Sequence, residues 1–353
     1  MKRSADGALV QSAGDGRRKM QVVSGGKGSG SRYGAVVRAR TSDLEAPVMH
    51  LQGHESEVLT MRFSPLGNTL ASAGTDKLIF IWNVYGHCQN LHRFKGHTNA
   101  ITELQWNTSG DRLYTSSADC TVCIWDVPGM TRIKKIKHAE IVNCCAVSKR
   151  GDPLLVAGGD DGFARLWDTR APKNVAQSYE GAFPVTSVDI AAGGDLVYAG
   201  DAAGEVQVWE SRKEKVLYTL RGHTDVVTGL RISPDGTHLL SNAADNTLRQ
   251  WDIRPFVAGG DNARCTRVLY GHKHGADKNL LRCAWHPSGS YVSSGSSDMP
   301  PSHFIWNAIT EQVVYQLPGH KAAINDVDFH PQGSIFGSCS SDKTIYLGEM
   351  QEG

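Results

Sequence analysis

From residue 44 onward the chain is built from short runs in which apolar and polar positions alternate, such as VLTMRFS at 58–64, TLASAG at 69–74 and LIFIWNV at 78–84. A period of two places alternate side chains on opposite faces of an extended backbone, so these runs predict β-strands. Turn formers separate them, for example Pro65-Leu66-Gly67-Asn68 and Pro234-Asp235-Gly236-Thr237, which predicts antiparallel neighbours. Residues 1–43 show no such pattern. They hold eight glycines and many serines, too little apolar surface to offset the entropy of ordering, and are expected to form a disordered arm.

The strand pattern itself repeats. Trp-Asn, Trp-Asp or Trp-Glu pairs begin at Trp82, Trp125, Trp167, Trp209, Trp251 and Trp306, at intervals of 43, 42, 42, 42 and 55, and Gly348-Glu349 follows 42 residues later. Gly-His pairs precede five of these seven points, with His54, His97, His223, His272 and His320, while the third unit keeps Lys137-His138 and the fourth has Gly181-Ala182. From histidine to tryptophan the count is 28, 28, 29, 28 and 34, and it is 28 from His320 to Gly348.

This period and the Gly-His…Trp-Asp signature resemble the WD-repeat family. The resemblance covers residues 44–353 and implies an all-β, seven-bladed β-propeller with units ending near Trp82, Trp125, Trp167, Trp209, Trp251, Trp306 and Gly348. An open ring would leave strand edges and an apolar face unpaired. The last unit stops after its third strand, around 345–350, and one spare strand-like segment, 44–51, precedes the first Gly-His, so that segment is expected to complete blade seven.

The resemblance also implies a buried relay in each blade, from indole through hydroxyl and imidazole to carboxylate. The matching residues are His54, Ser72, Asp76 and Trp82; His97, Thr115, Asp119 and Trp125; and His223, Ser241, Asp245 and Trp251. Blade six keeps His272, Ser294, Asp298 and Trp306, with Met299-Pro300-Pro301 interrupting the following strand and expected to distort the relay. Blade three has Ala157 for the hydroxyl, blade seven Gly348 for the indole, and blade four only Trp209 beside Ala182, Ala199 and Ala203, so apolar packing is expected to suffice there.

Ser, His and Asp together also suit nucleophilic catalysis. Repetition in several blades favours a structural role, since an active site is normally single. The Cys120-x-x-Cys123 pair has zinc-knuckle spacing, but within one strand its side chains would face opposite ways. The glycine-rich stretch at 25–29 lacks the first glycine and the final Ser or Thr of a phosphate-binding loop. With no single polar constellation found for the central channel, neither catalysis, a metal nor a cofactor is expected. No run of 18 apolar residues is present and the start lacks a secretory pattern, so no membrane association is expected and the eight cysteines are read as free thiols.

Charge divides unevenly: 1–43 carry nine basic and three acidic residues, and the remainder 28 basic and 33 acidic. A mildly acidic body disfavours wrapping RNA, which leaves protein docking as its expected work and the arm as the route for any RNA contact. The cluster Arg17-Arg18-Lys19 reads as solvated charge or a nuclear-import address.

Several stretches are similar to one subfamily, the small WD-repeat subunits of the spliceosomal U5 small nuclear ribonucleoprotein. They are LASAGTDKLIFIWNVYG (70–86), LLSNAADNTLRQWDIRPF (239–256), KNLLRCAWHPSGS (278–290) and the ending with its Trp-to-Gly replacement. That resemblance implies a nuclear, non-catalytic docking subunit that binds the large core scaffold protein of the spliceosome and other U5 proteins, with no small-molecule substrate. The expected contact surface is the insertion-bearing sector 254–278, with Arg254, Pro255, Phe256, Arg264, Lys273 and His274, together with the 299–303 excursion. A rival reading, a substrate receptor of a cullin ubiquitin ligase, rests on Trp167-Asp168-Thr169-Arg170 and Trp251-Asp252-Ile253-Arg254.

Overall fold

Each alternating run can bury its apolar face only by pairing with its neighbours and stacking against another sheet. The computed structural model describes residues 42–150, 154–170, 175–213, 215–275 and 279–350. These form seven four-stranded antiparallel sheets in a ring, a β-propeller, with blades spanning 58–95, 101–137, 142–180, 185–220, 227–269 and 283–318. Blade seven combines 324–349 with an N-terminal strand. The arm expected over 1–43 lies outside the described residues except for Ser42 and Asp43.

The closing strand is Val48–Gln52, paired antiparallel with Thr344–Glu349 from Val48↔Gly348 to Gln52↔Thr344. Leu51 enters the cluster between blades seven and one, packed with Ile345, Leu347, Met61 and Trp82. Leu44, also buried, steps across to blade one and bridges Gly86. The expected 44–51 segment therefore divides into a four-residue crossover and a strand shifted by one residue at its end.

The core is a series of wedges. Ala71, Ile79, Ile81 and Phe94 of blade one, for instance, meet Ile101, Leu104, Leu113 and Trp125 of blade two. In six blades the innermost strand carries a bulge at its second residue, such as Thr102 and Asn325. Bulges increase local twist.

Strand polarity fixes two rims. The turns between first and second strands and those between third and fourth lie on one face, here the turn face. The turns between second and third strands and the crossovers between blades lie on the other, the crossover face.

Candidate docking surface

The histidine of each relay comes from a crossover, the hydroxyl and indole from the second and third strands, and the aspartate from the turn joining them. In blade one His54 Nδ1 lies 2.7 Å from Asp76 Oδ2 and Nε2 2.7 Å from Ser72 Oγ, which also accepts the Trp82 Nε1–H at 2.8 Å. Blade two repeats this through His97, Asp119 (3.0 Å), Thr115 (2.8 Å) and Trp125 (2.9 Å). Blade five does so through His223, Asp245 (2.9 Å), Ser241 (2.6 Å) and Trp251 (2.8 Å). The hydroxyls are completely buried. A Ser Oγ that accepts an indole proton inside a sheet sandwich cannot approach a substrate, so these triad-like distances serve the fold.

Burial alone would raise the aspartates. Hydrogen bonds outweigh it: those from Thr121, the Thr98 amide and His97 hold Asp119 well below the carboxylate range, and those from His223 and Thr247 do the same for Asp245. Burial pushes His97 and His223 down despite their carboxylate partners. Both imidazoles therefore favour the neutral form, protonated on Nδ1 toward Asp and accepting the hydroxyl on Nε2.

Blade six departs from the expected pattern more than a distortion would. His272 Nε2 turns to Asn242 Oδ1 of blade five at 2.7 Å, and Asn242 Nδ2 donates to Ser294 at 3.1 Å. Trp306 Nε1 donates to the Tyr270 carbonyl at 2.9 Å, and Asp298 reaches out to Lys273 Nζ at 3.0 Å. The strand after Asp298 starts only at Ser302, beyond the two prolines. Blade seven keeps His320 bound to Asp342 and Ser338, each at 3.0 Å. A Cβ on Gly348 would fall 2.3 Å from Phe336 Cζ, so the Phe336 ring occupies space that a larger side chain at 348 would need. Blade four relies on a cluster containing Val185, Val188, Val197, Ala199 and Trp209. Cys120 sits in a turn at φ 60 rather than inside the strand Thr121–Asp126.

The channel corrects the sequence reading. Glu103 of blade two lies 3.4 Å from Arg231 of blade five and 3.5 Å from Arg282 of blade six, pairs that must span the axis. Arg62 of blade one binds Asp326 of blade seven at 2.6 Å. Burial would lower Arg62, but Asp326, Asp328 and Glu103 outweigh it and raise the guanidinium further. Burial raises Asp328, partly offset by Arg62. Carboxylates also stitch neighbouring blades: Glu103 accepts the Cys145 amide at 3.2 Å, Asp189 that of Ile232 at 2.7 Å, and Asp326 that of Met61 at 3.1 Å. Glu103 and Asp326 sit at the third position of their innermost strands and Arg62, Asp189, Arg231 and Asp328 at the fifth, while Arg282 directly precedes Cys283–Trp285.

The six candidate contact residues do not form one surface. Arg254, Pro255 and Phe256 sit in the blade-five loop of the turn face, with Phe256 95% exposed. Lys273 and His274 follow the outer strand Cys265–Leu269 and lie on the crossover face, about 16 Å away at ~3.3 Å per strand residue. There the 273–275 segment is tied to the turn that leads into the 299–303 excursion, since Lys273 N bonds Ser296 Oγ at 3.0 Å and Gly275 N bonds Ser297 Oγ. Arg264 is 4% exposed and stacks on Tyr218 at 4.1 Å, donating to Asp261 and to the carbonyls of Asp252 and Arg254. It braces the loop from beneath and is not exposed to a partner, contrary to the expectation for this residue. Lys273 is exposed while His274 is half-buried, and burial pushes the His274 imidazole down to about 4. Arg170 and Arg254 each fold back on the aspartate of their own motif, at 2.9 and 2.5 Å.

On the turn face, a cleft of ≈ 690 Å³ between blades five and six is lined by His238, Gln250, Arg267 and Ile309 among others. It shares Pro234, Trp285 and Pro287 with a funnel of ≈ 380 Å³ at the channel mouth.

Among known proteins, the profile described as WD domain, G-beta repeat matches residues 45–83, 88–126, 130–168, 214–252, 263–299 and 311–347. The gap from 169 to 213 coincides with the unit whose relay residues are alanines. The U5 small nuclear ribonucleoprotein 40 kDa protein of Bos taurus is 43% identical over 346 residues, covering 95% of either chain. That of Homo sapiens is 44% identical over 333 residues, 92% of either chain. The pre-mRNA-splicing factor cwf17 of Schizosaccharomyces pombe is 41% identical over 315 residues, 89% of this chain and 91% of its own.

Proposed function

Because this chain belongs to the WD-repeat family, and within it to the group of the U5 40 kDa proteins, we propose that it is a non-catalytic docking subunit of the spliceosome. In this reading it works in the nucleus, within the U5 particle, and engages that particle's large core scaffold protein during pre-mRNA splicing. The observation that carries the proposal is identity of more than 40% to splicing proteins along nearly the whole length of both partners. Turnover by a relay would require exposure that the buried Ser72, Thr115 and Ser241 lack. Residues beyond 43 carry more acid than base, which favours a protein partner over an RNA one.

The loop at 254–256 on the turn face is the preferred contact, because Phe256 presents an entire aromatic side chain to solvent on a base held by Arg264. Aromatic anchors of this kind contribute disproportionately to protein interfaces. Purification of the tagged chain from nuclear extract, with sequencing of the bound RNA and identification of the bound proteins, tests the reading. U5 RNA with splicing proteins is expected. Recovery of cullin adaptors without that RNA would replace it with the ligase-receptor reading.

A further inference from the structure

The funnel at the channel mouth has an excess of hydrogen-bond donors at its floor. Arg62 is 6% exposed and spends NH1 on Asp326 and the Met61 carbonyl, while its Nε and NH2 have no hydrogen-bond partner. The carboxylate facing NH2 is Glu103, at 3.8 Å. Glu103 already accepts Gln105 Nε2 and the Cys145 amide, and it also faces Arg231 and Arg282. Asp326 is taken up by Thr60, Met61, Arg62 and Val327, and Asp328 by the Phe63 amide. Buried guanidinium donors without an acceptor cost free energy, which an incoming anion would recover.

Two indoles form part of the wall. Trp106 Nε1 donates to the Arg62 carbonyl and Trp285 Nε1 to the Arg231 carbonyl, each at 3.0 Å. With their donors occupied, they offer hydrocarbon to an occupant. Beyond Trp285 the funnel runs into the cleft between blades five and six, where Gln250 is 4% exposed and its Oε1 lacks a partner. The succession is thus cationic donors, apolar wall, then an unused amide-type acceptor, which suits an extended peptide.

We propose that this track binds an extended segment of a partner protein, with an Asp or Glu side chain of that segment seated on Arg62 and Arg231. A backbone N–H of the same segment donates to Gln250 Oε1. A phosphodiester offers similar charge, but the cleft's Arg267 already serves the Ile309 carbonyl at 3.2 Å and stands 3.9 Å from Glu311, so a second phosphate has no comparable seat. The inference rests on the docking reading only in requiring a protein partner, and its test uses the purified chain alone.

A random dodecapeptide phage library is selected on the full chain, and the enriched peptide is made with a fluorescent label for anisotropy titration. The expected motif holds one Asp or Glu beside apolar residues, and exchanging that acid for Asn or Gln weakens binding at least ~10-fold. Arg231→Gln is expected to weaken the parent peptide similarly, with partial rescue in Arg231→Lys. Lys149→Glu, which replaces a positive charge at the rim with a negative one, weakens it several-fold, and Glu55→Gln, exposed on the crossover face, leaves it unchanged. Thermal melts of each variant exclude misfolding as the cause. Failure to enrich an acidic motif, binding indifferent to both Arg231→Gln and Lys149→Glu, or tighter Arg231-dependent binding of oligouridylate would overturn the proposal. Peptide binding without U5 co-purification would leave this site standing and remove the spliceosomal reading; the converse would do the reverse.

Discussion

At the scale of single residues, buried histidines inside and outside the relays, together with the relay aspartates, make the propeller sensitive to acid. Burial pushes His97 and His223 down, His138 and His274 to about 4, and His272 and His303 to about 3. The unfolded chain therefore takes up protons first as pH falls below about 6.5, and stability is lost from there down through the folded values. Asp119, Asp245 and Asp342 add a second loss below about pH 4, because their folded values lie lower still. The expected melting temperature is flat from pH 8 to 7 and falls steadily from 6.5 to 4. A midpoint that rises on acidification would contradict the assignment.

The relay in blade two is also testable by a double-mutant cycle. Removing His97 or Thr115 should each cost about 1–3 kcal/mol, because either strands the other's polar atom in a dry interior. The double variant should cost less than the sum, since the second removal has no partner left to strand; additive losses would mean the two do not communicate. Blade six supplies the contrast. Asp245→Ala loses bonds from His223, Thr224 and Thr247 and should destabilise by about 1–3 kcal/mol. Asp298→Ala, facing solvent toward Lys273, should leave the melting temperature unchanged.

At the scale of elements, the closing strand carries the ring. Without 44–52 the Thr344–Glu349 strand becomes an open edge and Ile345 and Leu347 lose their cover of Leu51. Losing two buried leucines and a run of ladder bonds costs on the order of 5 kcal/mol, which lowers the midpoint by roughly 5–10 °C in a domain this large. Calorimetry of the deletion variant checks this, and an unchanged transition would mean that the ring closes by another route. Gly348→Trp is expected to destabilise despite restoring the repeat consensus, because Phe336 stands where its side chain would begin.

At the scale of the molecule, the two rims separate binding functions that looked contiguous along the chain. Phe256→Asp should reduce incorporation into the particle several-fold while leaving the thermal midpoint unchanged, measured by co-purified U5 RNA. Lys273→Glu tests the opposite rim in the same assay, and an effect there alone would move the docking surface to the crossover face.

What the sequence determined on its own is whatever repeats or stays local. A 42-residue period, seven units and one spare strand dictate the blades and their closure, because an incomplete blade must recruit a strand. The resemblance to the repeat family likewise assigned His54, Ser72, Asp76 and Trp82 to one relay, and the structure joins them because all four belong to a single blade and the crossover leading into it. Tertiary structure alone decided the rest, wherever partners come from different blades. Asn242 took His272 from its own relay, Glu103 met arginines more than a hundred residues away, and Arg264 was drawn under the loop it was expected to decorate. The split of the insertion between opposite rims was implicit in strand polarity, yet it becomes visible only when Cys265–Leu269 is known to be a strand crossing the blade. Local periodicity constrains backbone path; which charge faces which across an axis depends on how the ring closes.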